Sequence, residues 1–128
     1  DTSAISTLMK EDPALAAWLE SRHPDDRIVT CSIAAGEILY GLARLPLGRR
    51  RSELETKAAR AFECLPCEPV PPAAAQSYAR IKSVQQSQGL PLDENDLWIA
   101  ATALTLNAAL VTRDTDFNRI AELAVIAV

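Results

Sequence analysis

Histidine is almost missing from this sequence: His23 is the sole one in 128 residues, and it sits in the turn-forming run His23-Pro24-Asp25-Asp26. A Ser-His-Asp triad or a histidine-based zinc site therefore has nothing else to build on. Glycine is scarce, four scattered residues, so there is no glycine-rich loop to cradle a phosphate. Three cysteines, Cys31, Cys64 and Cys67, are too few and odd in number for a disulfide framework and read as reduced thiols. "CLPC" has redox spacing, but it follows a helical segment and precedes prolines, whereas a redox pair opens a helix after a strand. No apolar run approaches the roughly 18 residues of a membrane span. No charged-then-apolar leader opens the chain, so a cytoplasmic location is expected. A basic excess is missing too: 13 Lys and Arg face 17 Asp and Glu, a net charge of −4, which argues against binding nucleic acid by bulk charge alone.

What is present is the composition of a helix-rich globule, 48% hydrophobic and 23% charged, with alanine frequent. The length suits a single domain over residues 1–128. The chain opens at Asp1 without an initiator Met. A helix that starts abruptly after an Asp, with Thr2 or Ser3 as its cap, is typical of the position just past the carboxyl end of a strand. A first strand upstream of Asp1 is therefore expected.

"RIVTC", residues 27–31, is a short β-branched run and reads as a strand. Ser32 is the expected cap of a helix placing Ile33, Glu37, Tyr40, Gly41 and Arg44 on one face, ended by Pro46 and Gly48. Residues 49–64 predict a second helix, opened by Arg49-Arg50-Arg51 and carrying Glu53 and Glu55, which favours a solvated face over a phosphate contact. The prolines of "CLPCEPVPP" allow at most a short strand near residues 64–70. A helix is predicted over 73–88 with Gly89 at its C′ position, and another to about Asn107 with Asp93 as N-cap and Asp96 at N3. Trp98 reads as core packing. A strand over 108–112, a short helix over 117–123 and a last strand over 124–128 complete the chain. Strands separated by helices imply a parallel sheet flanked by helices, a three-layer α/β/α sandwich.

In open parallel sheets, sites form beyond the carboxyl ends of the strands. Asp1, Glu37, Asp96, Asp114 and Asp116 all fall there, and every one is a carboxylate. Each alone has an ordinary explanation: Asp1 and Asp96 as cap or first-turn acids, Glu37 as a solvated helix residue, one of Asp114 and Asp116 as the next N-cap. Their coincidence at one edge has none. Carboxylates crowded in one crevice raise one another's pKa unless a cation sits among them. An all-oxygen donor set suits Mg²⁺ or Mn²⁺, and the implied chemistry is phosphodiester hydrolysis. Without those five acids, 13 basic face 12 acidic residues, so the charge objection applies chiefly to the site itself.

"DTSAIS", "AAGEILYGL", "NDLWIAATAL" and "LVTRDTDFNRI", in that order and spacing, resemble the PIN-domain nucleases, specifically the VapC-type toxins of bacterial type II toxin-antitoxin modules. The resemblance spans essentially the whole chain. It implies that Asp1, Glu37 and Asp96, with Asp114 as the fourth acidic position, hold Mg²⁺ or Mn²⁺, with Asp116 a nearby second candidate and with Ser3 and Thr112 lining the site. Asp1 and Asp96 would be the principal ligands, with Asp114 beside them. Glu37 and Asp114 would orient or deprotonate the attacking water. It further implies an endoribonuclease that arrests translation and growth, forms a homodimer, and is inhibited by a cognate antitoxin that inserts a C-terminal segment over the acidic site. The chain departs from the pattern at its C-terminus, where "AVIAV" replaces a Trp common among members. The alternative is a PIN-like RNA- or protein-binding module without nuclease activity. A receiver-like phosphoacceptor fits worse, since neither of the last two strands carries a Lys. Within "VTRDTD", Asp114 is expected to serve the metal and Asp116 to cap the helix beginning at Phe117.

Overall fold

In a computed structural model describing all of residues 1–128, the elements run α1 (Thr2–Met9), α2 (Pro13–Glu20), β1 (Thr30–Cys31), α3 (Ser32–Ala43), α4 (Arg49–Cys64), β2 (Cys67–Glu68), α5 (Ala74–Ser87), α6 (Glu94–Thr105), β3 (Leu110–Thr112), a short 3₁₀ helix (Thr115–Arg119) and β4 (Val125–Ala127). All strand pairing is parallel, as the alternation of strands and helices requires, but it is divided into two pairs. β1 lies beside β2 with Thr30 opposite Cys67, and β3 beside β4 with Leu110 opposite Val125. Between the pairs lies an apolar trough of about 630 Å³, lined by residues such as Ile5, Leu15, Val29, Leu110 and Val111.

Local chemistry explains most boundaries. Asp93 caps α6 by accepting from the Asn95 amide at 2.9 Å, which sets Asp96 at the third helical position, as expected. Gly89 follows the cap of α5 at φ +68, a left-handed conformation that glycine adopts without steric cost. Two expected caps are corrected. Asp1, not Thr2 or Ser3, caps α1, since its carboxylate reaches the Ala4 amide at 2.9 Å. Ser32 is the first residue of α3 rather than its cap, and its hydroxyl donates instead to the Glu68 carbonyl. The strands are shorter than the apolar runs suggest because pairing stops where the partner strand does: "RIVTC" is strand only at Thr30 and Cys31. α2 is an element the periodicity reading passes over. Its signal lies in Asp12-Pro13, where Asp12 accepts from the Leu15 amide at 3.0 Å and Pro13 takes the first turn, in which a missing N–H costs nothing.

One core of 19 buried residues ties the elements together, with Ile5, Ala34, Ile38, Leu97, Ala100, Leu110 and Phe117 near its centre. α1 packs on α3, α4 and β3, while α5 packs on α6. Alanines at buried positions of α4, α5 and α6 let the helices approach closely. Trp98 is half-buried and stacks on Tyr78, ring centroids 4.1 Å apart, so its role is packing, as predicted. No helix is long and apolar enough to cross a membrane. The functional consequence lies in the α1, α3 and β3 contacts, which bring three distant chain segments to one end of β3.

Candidate active site

β3 ends at Thr112, whose side chain is 1% exposed. Its hydroxyl donates to Oδ2 of Asp1 at 2.8 Å and accepts from the Asp114 amide at 2.9 Å. Ser3 completes the arrangement, donating to Oδ1 of Asp1 at 2.9 Å while accepting from the Arg113 amide at 2.9 Å. The Asp1 nitrogen donates to the Val111 carbonyl at 3.0 Å. Asp1 is thus held from both oxygens and from its backbone. Two predicted lining residues, Ser3 and Thr112, tie Asp1 to the end of β3.

Glu37 arrives from α3. Thr2 donates to its Oε1 at 2.7 Å, a contact across 35 residues of sequence that no local pattern signals. The charges of Glu37 and Asp96 both act at the position of Asp1, which places the two in its neighbourhood.

Asp96 differs from the others. It is half-buried, and no hydrogen-bond donor reaches its carboxylate, in contrast to Asp1, Glu37 and Asp114. Burial first, then the charges of Asp93, Asp114, Glu37 and Asp116, push its pKa from 3.8 up to about 6. Every charge acting on it is negative, so the site holds an uncompensated anion where a cation would be strongly favoured. Asp93, absent from the sequence-based candidates for the site, is the largest of these charges. Its signal was visible, but as a helix cap.

Beside the site the expected cap of the following helix is corrected. Asp114, not Asp116, is the N-cap, its Oδ1 accepting from the Asp116 amide at 2.9 Å. Asp116 instead pairs with Arg119 at 2.8 Å. The physical reason is the onset of the 3₁₀ helix at Thr115, two residues earlier than a helix starting at Phe117, which moves the cap position to Asp114. Asp114 still faces the site, since its charge acts on Asp96. Asp96 thus shares one neighbourhood with Glu37, Asp93, Asp114 and Asp116, and Asp1 is tied to Asp114 through the Thr112 hydroxyl. No three acidic, histidine or cysteine side chains stand closely enough to grip one ion together.

Comparison with known proteins agrees with this geometry. The model of the PIN domain family matches residues 1–123. Ribonuclease VapC1 of Haemophilus influenzae is 34% identical over 128 residues, covering 96% of this chain and 91% of that protein. Among solved structures, VapBC-1 from nontypeable H. influenzae superposes with a TM-score of 0.86 at 28% identity, covering 99% of this chain and 94% of that one. VapBC-5 from Mycobacterium tuberculosis, a member of the VapBC family of toxin-antitoxin systems, does so with a TM-score of 0.77 at 27% identity, covering 100% and 95%. With an acidic crevice at the carboxyl end of a parallel pair, the expected motifs in order, and relatives aligned over nearly their full length, this chain belongs to the PIN-domain family, in its VapC branch.

Proposed function

We propose that this protein is a metal-dependent endoribonuclease, the toxin of a type II toxin-antitoxin pair, which hydrolyses RNA phosphodiester bonds and so arrests translation. The observation that carries the reading is Asp96: a half-buried carboxylate with no donor, surrounded by carboxylates and raised to about 6. The names of its relatives, a ribonuclease and members of toxin-antitoxin complexes, support the same activity and an antitoxin as partner. A homodimer, and larger assemblies with the antitoxin, belong to this reading.

Asp1, Asp96 and Asp114 would hold Mg²⁺ or Mn²⁺, one or two of them directly and the rest through the waters the ion keeps, because every donor is a hard carboxylate oxygen. Such an ion, when bound, supplies charge neutralisation at the scissile phosphate and lowers the pKa of a water. The chain's own residues do the rest. Thr112 and Ser3 fix both oxygens of Asp1, so that ligand needs no reordering. Thr2 engages one oxygen of Glu37, leaving the other to accept a proton from the attacking water. The cap bond of Asp114 engages only Oδ1, so capping and ligation are compatible in one carboxylate. Asp116 supports the site from behind through its field and its hold on Arg119.

The test is cleavage of a total cellular RNA pool by the purified protein in Mg²⁺ or Mn²⁺, with product ends mapped by sequencing. Cleavage abolished by EDTA and by Asp96→Asn, with the circular dichroism spectrum unchanged, is expected. RNA bound but never cut in either metal would instead indicate a non-catalytic binding module.

A further inference from the structure

α3 carries Glu37 into the acidic crevice, and its solvent-facing stripe continues beyond that residue. Tyr40 and Arg44 follow on the same face at three and seven positions further along, so Arg44 lies about 10 Å along the helix axis from Glu37. Tyr40 is 64% exposed. The other aromatic side chains are all more covered: Phe117 is buried, Phe62 and Trp18 are half-buried, and Tyr78 and Trp98, also half-buried, stack on each other. Packing therefore accounts for every aromatic except this one.

The cations that follow are paired in part, with Arg50 left free as well. Arg49 and Arg51 are neutralised by Glu53 and Glu55 one turn along α4. Arg44 has no carboxylate partner, and its guanidinium lies over the Tyr40 ring, 5.5 Å from the centroid. An exposed aromatic plane backed by an unpaired guanidinium is the chemistry that holds single-stranded RNA. The ring face stacks on an unpaired base and the fork-shaped cation takes a phosphate. The chain also needs such a grip away from its centre, because a crevice of five carboxylates repels a polyanion and the net charge is −4.

We propose that Tyr40 and Arg44 form a binding station for single-stranded RNA beside the acidic site, Tyr40 stacking on a base and Arg44 holding a phosphate about three nucleotides from the scissile one, at roughly 3.4 Å per stacked nucleotide. The station rests on the ribonuclease reading and adds to it where the substrate strand runs: outward along α3.

The experiment uses Asp96→Asn protein as a non-cutting background and a short, fluorescein-labelled, mixed-sequence single-stranded RNA, with binding read by anisotropy across a salt series. Adding Tyr40→Ala is expected to weaken binding about 10-fold, within the range for one lost base stack, while Tyr40→Phe retains it. Arg44→Ala is expected to weaken binding several-fold and to flatten the salt dependence by about 0.7 in log–log slope, one phosphate contact. In the otherwise wild-type enzyme, Tyr40→Ala should raise KM with kcat nearly unchanged. Unaltered RNA affinity and KM in Tyr40→Ala overturn the station while leaving the ribonuclease reading intact. A Tyr40→Ala protein that binds RNA normally but changes its sedimentation coefficient overturns it too, by making this face a contact between protein chains. Wild-type protein that cleaves no RNA in Mg²⁺ removes the ribonuclease reading, and the station with it.

Discussion

Replacing Asp96 with Asn should make this protein more stable at neutral pH while abolishing its activity. Raising the Asp96 pKa from 3.8 to about 6 corresponds to about 3 kcal/mol held against the charged form, at about 1.4 kcal/mol per pK unit. Asp96 is only half-buried, so solvent screening reduces this to roughly 1 to 2 kcal/mol. Proton linkage sets the sign. The folded state binds the Asp96 proton more tightly than the unfolded state does, so this group's favourable contribution is complete below the unfolded pKa of 3.8 and is lost as the pH rises through about 6. Asn has no proton to lose. In urea unfolding with EDTA present, Asp96→Asn and wild type should differ little near pH 4 apart from a constant offset. Toward neutral pH the difference should shift by roughly 1 to 2 kcal/mol in the mutant's favour, about 0.5 to 1 M in midpoint for a domain of this size. Mg²⁺ should then raise the wild-type midpoint and leave the mutant's nearly unmoved. A wild-type-to-mutant difference that is flat from about pH 4 to pH 7.5 would refute the claim that Asp96 is an uncompensated charge.

Thr112→Val removes the donor to Asp1 and the acceptor for the Asp114 amide in a side chain 1% exposed. A loss of about 1 to 3 kcal/mol in chemical denaturation is expected, together with loss of cleavage, both largely restored by Thr112→Ser. Asp114→Ala should lower both activity and stability, the latter by about 1 kcal/mol for the lost cap. Asp116→Ala releases only an exposed pair with Arg119 and should change stability by less than about 1 kcal/mol; thermal unfolding of the two variants side by side checks the order. Phe117→Ala empties a core position 1% exposed and should cost about 3 to 5 kcal/mol, displacing the 3₁₀ helix and with it Asp114, as lowered Mg²⁺ affinity by calorimetry would register.

The acidic residues were legible because carboxylates at the carboxyl ends of strands are an unusual coincidence, and order along the chain is enough to detect it. Caps that rest on one residue and the next two or three were legible as well, as Asp93 illustrates. Errors came where neighbours compete for one local role. Asp1 displaced Thr2 and Ser3 as a cap, and Asp114 displaced Asp116, since the winner depends on where the helix starts to within one residue. α2 leaves little trace in the periodicity because its apolar stripe is short, and its signal is confined to Asp12-Pro13.

By itself the sequence determined which side chains are available: hard oxygen donors with no histidine to join them, helices long enough to carry them, and the periodicity that sends Glu37 and Tyr40 to one face of α3. It did so because helical spacing and cap chemistry act over a few residues. Only the tertiary structure decided that Thr2 meets Glu37 across 35 residues and that Thr112 meets Asp1 across 111. It also decided that Asp96 is the one acid of the central group left without a donor. Those outcomes depend on packing α1 against α3 and β3, and on the burial and summed fields that this packing creates, which no local pattern encodes.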